Sequence, residues 1–318
     1  MPRPIAHDRI TWSVIIPTFE RPRHLAQCLR SVAAIDWPRD DFEVIVVDDG
    51  GTAALGDSVG RSGNDIPVTL VRQGNAGPGA ARNRGAALAR GTYLAFTDDD
   101  CRPRPGWLRA LWSVMAGGAD MAGGPTVNIV DDSPRSRTSQ LIVEAAYGYH
   151  NDGTGGTTFL ASNNMAVAAH RFRDIGGFDP RFRPASEDRD LCDRWLAAGY
   201  SIEFAPGAVV DHASDLDLPR FCRQHFNYGR GACLYHGARR RRGVGGLRRH
   251  AARHLRFLGR FGAPLARPGL VPGAAAGRPA GAVAGAQCRR LPVPVGDCRC
   301  GAGRSDRVGR DHPAGNRE

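Results

Sequence analysis

TYLAFTDDDC, residues 92–101, is an apolar run that ends on three consecutive carboxylates. Its length and its large apolar side chains suit a buried strand with a polar turn at the carboxyl end. The same pattern recurs on the amino-terminal side. FEVIVVDDG, residues 42–50, closes on Asp48 and Asp49, and SVIIPTF, residues 13–19, leads through Pro17 and Thr18 to Glu20 and Arg21. Between these runs, RHLAQCLRSVAA at 23–34 has apolar residues at helical spacing. PVTLVRQ at 67–73 is followed by a Gly-rich turn, 74–79, and a helical stretch that reaches Arg90. Strands that alternate with helices predict an α/β fold: a doubly wound, mostly parallel sheet flanked by helices. Ligands of such sheets bind outside the carboxyl ends of the strands, so three acidic strand ends are expected to face one cleft.

Adjacent carboxylates raise one another's proton affinity, and a divalent cation is the natural compensation for Asp98, Asp99 and Asp100. Hard Mg²⁺ or Mn²⁺ takes one or two carboxylates and fills its shell with phosphate oxygens and water. A solvated acidic turn is the plainer reading of the motif by itself. Asp48 and Asp49 suit hydrogen bonds from a base or a ribose, although Asp-Gly is also an ordinary turn. NAGPGAARNRG, residues 75–85, runs a Gly-rich turn into a helix, where backbone amides, Gly77 and Arg82 suit a diphosphate. Arg82 stands where the dinucleotide fingerprint has its third glycine, which argues against nicotinamide. SEDRD, residues 186–190, opens a helix in which Glu187 and Asp188 serve either the helix N-terminus or an acceptor hydroxyl as general base. His212, in AVVDHASD, follows an apolar run and can complete a metal shell begun by carboxylates.

The 318 residues suffice for one large core. The basic residues are all Arg, and they are unevenly spread: residues 237–318 carry 18 Arg against 4 acids, residues 1–236 carry 25 against 28. The positive field therefore lies on a tail and not on the folded part, which excludes a nucleic-acid-coating domain. The tail is rich in Gly, Ala, Pro and Arg and reads as a disordered basic extension or an out-of-frame stretch of a GC-rich gene. Clusters such as Arg239 to Arg242 suit a peripheral contact with anionic lipid headgroups. The eight Cys lack zinc spacing and read as reduced thiols of a cytoplasmic protein. No apolar leader is visible at residues 1–11, and no uncharged apolar run reaches the ~18 residues of a spanning helix.

In order, SVIIPTFER, VIVVDDG, NAGPGAARNRG, AFTDDDC, SNNMAV, GGFDPRF, EDRDLCDRW and VVDHA resemble the inverting nucleotide-sugar glycosyltransferases of family two, over about residues 12–236. The resemblance implies a GT-A fold with a nucleotide-sugar half, 12–116, and an acceptor half, 117–236. It also implies Mn²⁺ or Mg²⁺, a UDP-, GDP- or dTDP-sugar donor, and a saccharide or lipid-linked acceptor at the inner face of the membrane. Pro17, Thr18, Glu20, Arg21, Asp48, Asp49, Gly77, Arg82, Asp98 and Asp99 match nucleotide-sugar-binding positions. Asp98, Asp100 and His212 match metal positions, the pair within Asp98 to Asp100 being left open, and Asp188 matches the general base with Glu187 beside it. FCRQHFNYGRG, residues 221–231, lacks the signature of processive relatives, so single-sugar transfer is expected. A nucleotidyltransferase would want a lysine in the first strand turn, and the chain has none. A non-catalytic relict would not need the full set of acids.

Overall fold

The computed structural model describes residues 10–56, 59–60, 66–130, 133–151, 156–183 and 185–244. Strands β1 (Trp12–Thr18) and β2 (Phe42–Asp48) are buried along their whole length, which is why both read as largely apolar runs, broken only near their starts by Ser13 and Glu43, which hydrogen-bond to each other. β1 pairs in parallel with β2 from Trp12–Phe42 to Thr18–Asp48, and on its other side with β4 (Tyr93–Thr97). β3 (Val68–Arg72) extends the parallel set beyond β2. Past β4 the direction reverses. β8 (Asn164–Ala168) runs antiparallel to β4 and to β6 (Met121–Gly123), and β9 (Ile202–Phe204) runs parallel to β6. The order is β3-β2-β1-β4-β8-β6-β9.

The strand residues alternate between two cores, as a period of two requires. Val14, Ile16, Val44 and Val46 pack with Leu25 and Leu29 of α1 (Pro22–Ala33) and with Trp107 and Leu111 of α3 (Trp107–Met115). Ile15, Ile45 and Val47 face the other way, into a core shared with Ala81 and Ala86 of α2 (Pro78–Leu88), Phe172 of α5 (Ala169–Asp174) and Trp195 of α6 (Glu187–Ala197), against which Tyr147 of α4 (Pro134–His150) also packs. α2 lies close on the sheet because Gly85 has no Cβ; one would fall 2.6 Å from Ile15 Cγ2.

A second sheet, β5-β10-β7, is built from β5 (Cys101–Pro103), β10 (Val210–His212) and β7 (Thr126–Asn128). β10 is antiparallel to β5 in a register that sets His212 opposite Cys101. The fully buried Asn164 ties the two sheets together: Oδ1 accepts from Trp107 Nε1 at 2.8 Å, and Nδ2 donates to the carbonyls of Pro125 and Ala208.

The boundary expected at residue 237 falls inside a helix. α7 (Leu218–Arg241) continues through Arg239–Arg241, and Arg242 pairs with Asp190 at 2.7 Å and Asp193 at 2.9 Å on α6. Buried acids on the neighbouring helix hold this first piece of the basic segment in place. The remainder of that segment, 245–318, lies outside the described residues, as do 1–9. Among the described residues no helix is long and apolar enough to cross a membrane.

Candidate active site

The acids after β4 occupy a turn closed by Cys101 N–H donating to the Asp98 carbonyl, and consecutive residues of a turn point in different directions. Asp99 turns inward, where it accepts from Thr18 Oγ1 at 2.7 Å and Arg21 at 3.1 Å. Asp100 meets Arg21 at 2.8 Å and His212 Nε2 at 3.4 Å. Asp98 turns the other way and pairs with Arg82 at 2.6 Å. Burial, reinforced by the charge of Asp100, lifts Asp99 to about 7 against the pull of Arg21 and Thr18. Burial opposes ionisation of Asp100 too, but His212 and Arg21 outweigh it and hold that carboxyl well below the usual range. His212 is raised in return, because Asp100 more than offsets its burial.

The expected metal set of Asp98, Asp100 and His212 is therefore divided. Among the described residues, the groups that come together are Asp100, Cys101 and His212, with ligand atoms within 4.8 Å of one another. The carboxylate oxygen suits a hard ion such as Mn²⁺ or Mg²⁺, and the imidazole nitrogen beside it makes the transition metal Mn²⁺ the better fit of the two. The Cys101 thiol is fully buried and its pKa is raised well above the ordinary value, chiefly by that burial, so it stays protonated and is no ligand for a hard ion. Asp98 pairs with Arg82 through one carboxylate oxygen and is a third exposed.

The other strand ends hold the loops of the cleft. Asp48 accepts from Gly51 N–H at 2.9 Å and pairs with Arg72 at 3.2 Å. Asp49 accepts from the backbone N–H groups of Ala76 and Gly77 and from Gln73 Nε2, each at 2.8 Å. It thereby staples the Gly-rich turn, for which Gly77 supplies the left-handed backbone at φ +93°. Glu20 also has left-handed backbone, φ +56°, and accepts from the backbone N–H and hydroxyl of Thr52. Pro17 sits within β1 opposite Val47.

Arg82, expected on a diphosphate, is buried instead. NH1 donates to Glu187 at 2.9 Å, NH2 donates to Asp98 at 2.6 Å, and the guanidinium lies over the Phe178 ring. These carboxylates keep its pKa raised in spite of its burial. Its buried Nε–H lacks a partner among the described residues. The fork joins the turn after β4 to the start of α6, where Ser186 takes a left-handed φ of +74° just before Glu187. Asp190 is committed to Arg194 and Arg242. Asp188 differs: among the described residues its carboxylate accepts only the Arg189 N–H, at 2.7 Å. Burial first, then the charge of Glu187, lifts it to about 7. A carboxyl whose proton affinity is raised toward neutrality has the chemistry of a general base.

Residues 13–175 match the family model described as Glycosyl transferase family 2. The chain belongs to this family. The glycosyltransferase AglE of Haloferax volcanii is 27% identical over 69% of this chain and 72% of its own length. The pre-mycofactocin glycosyltransferase of Mycobacterium tuberculosis is 30% identical over 72% of this chain, which spans about half, 48%, of that relative. In fold, a mannosyltransferase from Pyrobaculum calidifontis, solved with GDP-Man and Mn²⁺, superposes with a TM-score of 0.51 at 20% identity and 84% coverage of both chains. Staphylococcus aureus TarS 1-349 with UDP gives 0.53 at 20% identity, over 65% of this chain and 61% of that 1-349 chain. The fold is GT-A, and the protein is a glycosyltransferase.

In this glycosyltransferase the α7 helix adds residues for which the sequence offers no motif. Gly231 is buried against the entry to α6, where an added Cβ would lie 2.5 Å from the Ala185 carbonyl oxygen. Tyr228, one turn earlier, receives a hydrogen bond from Gln224 at 2.8 Å. The residue is 41% exposed overall, while the packing around its hydroxyl, followed by the charges of Asp188, Glu187 and Asp98, raises the proton affinity of that group. α7 thus walls the side of the cleft where Asp188 lies. Gly231→Ala is expected to push α7 off α6, at a cost of ~1–3 kcal/mol, lowering the midpoint in a urea titration. An unchanged midpoint would show that the contact is slack.

Proposed function

We propose that the protein is a metal-dependent, inverting glycosyltransferase that moves one sugar from a nucleoside-diphosphate donor to a hydroxyl of a saccharide or lipid-linked acceptor. The observation that carries this reading is the Arg82 fork, because it holds the acid turn containing Asp100 beside the α6 start containing Asp188. Asp188 takes the proton of the acceptor hydroxyl as that oxygen bonds to the anomeric carbon. On the opposite face the bond from that carbon to the diphosphate oxygen breaks, and its electron pair leaves with the nucleoside diphosphate. One base suffices for this single displacement, and the product is inverted. Asp100 and His212 would hold the Mn²⁺ or Mg²⁺, which supplies Lewis-acid stabilisation of the diphosphate charge when bound. Arg21, half exposed over Asp99 and Asp100, is the basic group nearest that charge. Arg82 positions the acids and does not touch the donor.

The test is nucleotide release from a panel of UDP-, GDP- and dTDP-sugars with Mn²⁺ or Mg²⁺, with the native chain compared with Asp100→Ala and Asp188→Ala. Release from one donor class is expected, dependent on the ion and lowered at least ~100-fold by either substitution. Equal release in the presence of a chelator would overturn the metal assignment. Full activity of Asp188→Ala would overturn the base.

A further inference from the structure

The outward side of α7 has the polarity of a buried surface. Leu218 is 60% exposed and Phe226 is 68% exposed, with Cys222 and Cys233 also exposed. At 3.6 residues per turn these four side chains fall within about 80° of one another and extend over roughly 22 Å of helix. A helix face turned to water ordinarily carries charge. Here Arg223, Arg230 and Arg241, all exposed, line one border of the stripe, and exposed Arg240 lies on the stripe's own line beyond Cys233. Between residues 218 and 244 there is no acidic residue. The opposite side of the helix is occupied, since Gly231, Tyr235 and Ala238 are buried and Arg242 is bound to Asp190 and Asp193 of α6.

We propose that this stripe is a docking surface for an anionic lipid bilayer, with α7 lying in the plane of the headgroups. Phe226 and Leu218 enter the acyl boundary while the bordering arginines spread their stems along it and keep their guanidinium groups among the lipid phosphates. A second copy of the chain is the poorer occupant. A symmetric contact would bring two acid-free, Arg-bordered helices together with nothing on either to neutralise them.

The experiment is sedimentation of the full chain with vesicles of phosphatidylcholine, alone or containing about one third phosphatidylglycerol. Binding to the anionic vesicles only, weakened by salt, is expected. The double variant Leu218→Asp/Phe226→Asp should partition at least tenfold less, with an unchanged circular dichroism spectrum because both side chains are exposed. Arg223→Gln/Arg230→Gln, which leaves the apolar stripe intact, should also weaken binding. Failure of the native chain to sediment, or sedimentation of the Asp variant like the native chain, would overturn the proposal. So would a variant that loses only self-association in light scattering and still binds vesicles.

Discussion

Asp188→Asn should lower transfer by ~10²–10⁴-fold, because proton removal by a positioned base contributes about that much, while nucleotide affinity stays unchanged. The pH profile supplies a second readout. The Asp188 carboxyl is lifted from the ordinary 3.8 to about 7, so the native rate should rise with pH, pass half-maximum near neutrality and level off above it. The residual rate of the Asn variant should be flat across that range. The same shift acts on stability with the opposite sign. A carboxyl whose folded value is raised binds protons more tightly in the folded state, so its ionisation opposes folding. That penalty is absent below pH ~4, grows between ~4 and ~7 and is constant above. At ~1.4 kcal/mol per tenfold change in proton affinity it amounts to a few kcal/mol. Asp188→Asn should therefore melt several degrees higher than the native chain at pH 8 and close to it at pH 4.5, measured without metal or nucleotide. A variant destabilised equally at both values would mean that the carboxylate is a structural cap and not a strained base.

How much of this was legible in the sequence depended on what each residue does. The central strands were readable because burial on both faces leaves a largely apolar run, and the run also announces where the strand ends. The acidic ends were readable as a group for the same reason. Their division of labour was not. Whether Asp98 or Asp100 stands beside His212 is decided by the turn after β4 and by the register of β10 on β5, and neither leaves a trace in composition. Asp49 illustrates the same limit. Nothing in the sequence of a strand-end carboxylate shows that it will accept two backbone N–H groups of its own Gly-rich loop. The opposing half of the cleft was the least legible. Residues 221–231 registered only as the lack of a processive signature, although they contain Tyr228 and Gly231. Close approach of α7 to α6 is a fact about packing, and a helical glycine read alone marks only a weak helix.

Arg82 is where fold and chemistry depend on one group, so its loss should have the largest effect on stability. Arg82→Met leaves Glu187, 9% exposed, facing Asp98 without the cation that separated them. Breaking a buried ion pair from one side costs ~3–5 kcal/mol, because the charge left behind is neither solvated nor paired. Arg82→Lys should cost about half as much, since a single ammonium cannot span both carboxylates as the planar fork does. Denaturant titration of the three proteins measures this series. A mutation that merely loosened the fold would leave the chemistry's pH dependence alone, but this one should move it. The positive charge of Arg82 is one of the influences that lower the proton affinity of Asp188, so the rate profile of any folded Met variant should shift to higher pH. Adding Glu187→Met removes the neighbouring charge that raises it, and should bring the profile back while restoring most of the stability. Asp98, a third exposed, is then free to turn to water. If the double variant stays as unstable as the single one, the guanidinium matters for its packing on Phe178 and not for the acids it joins.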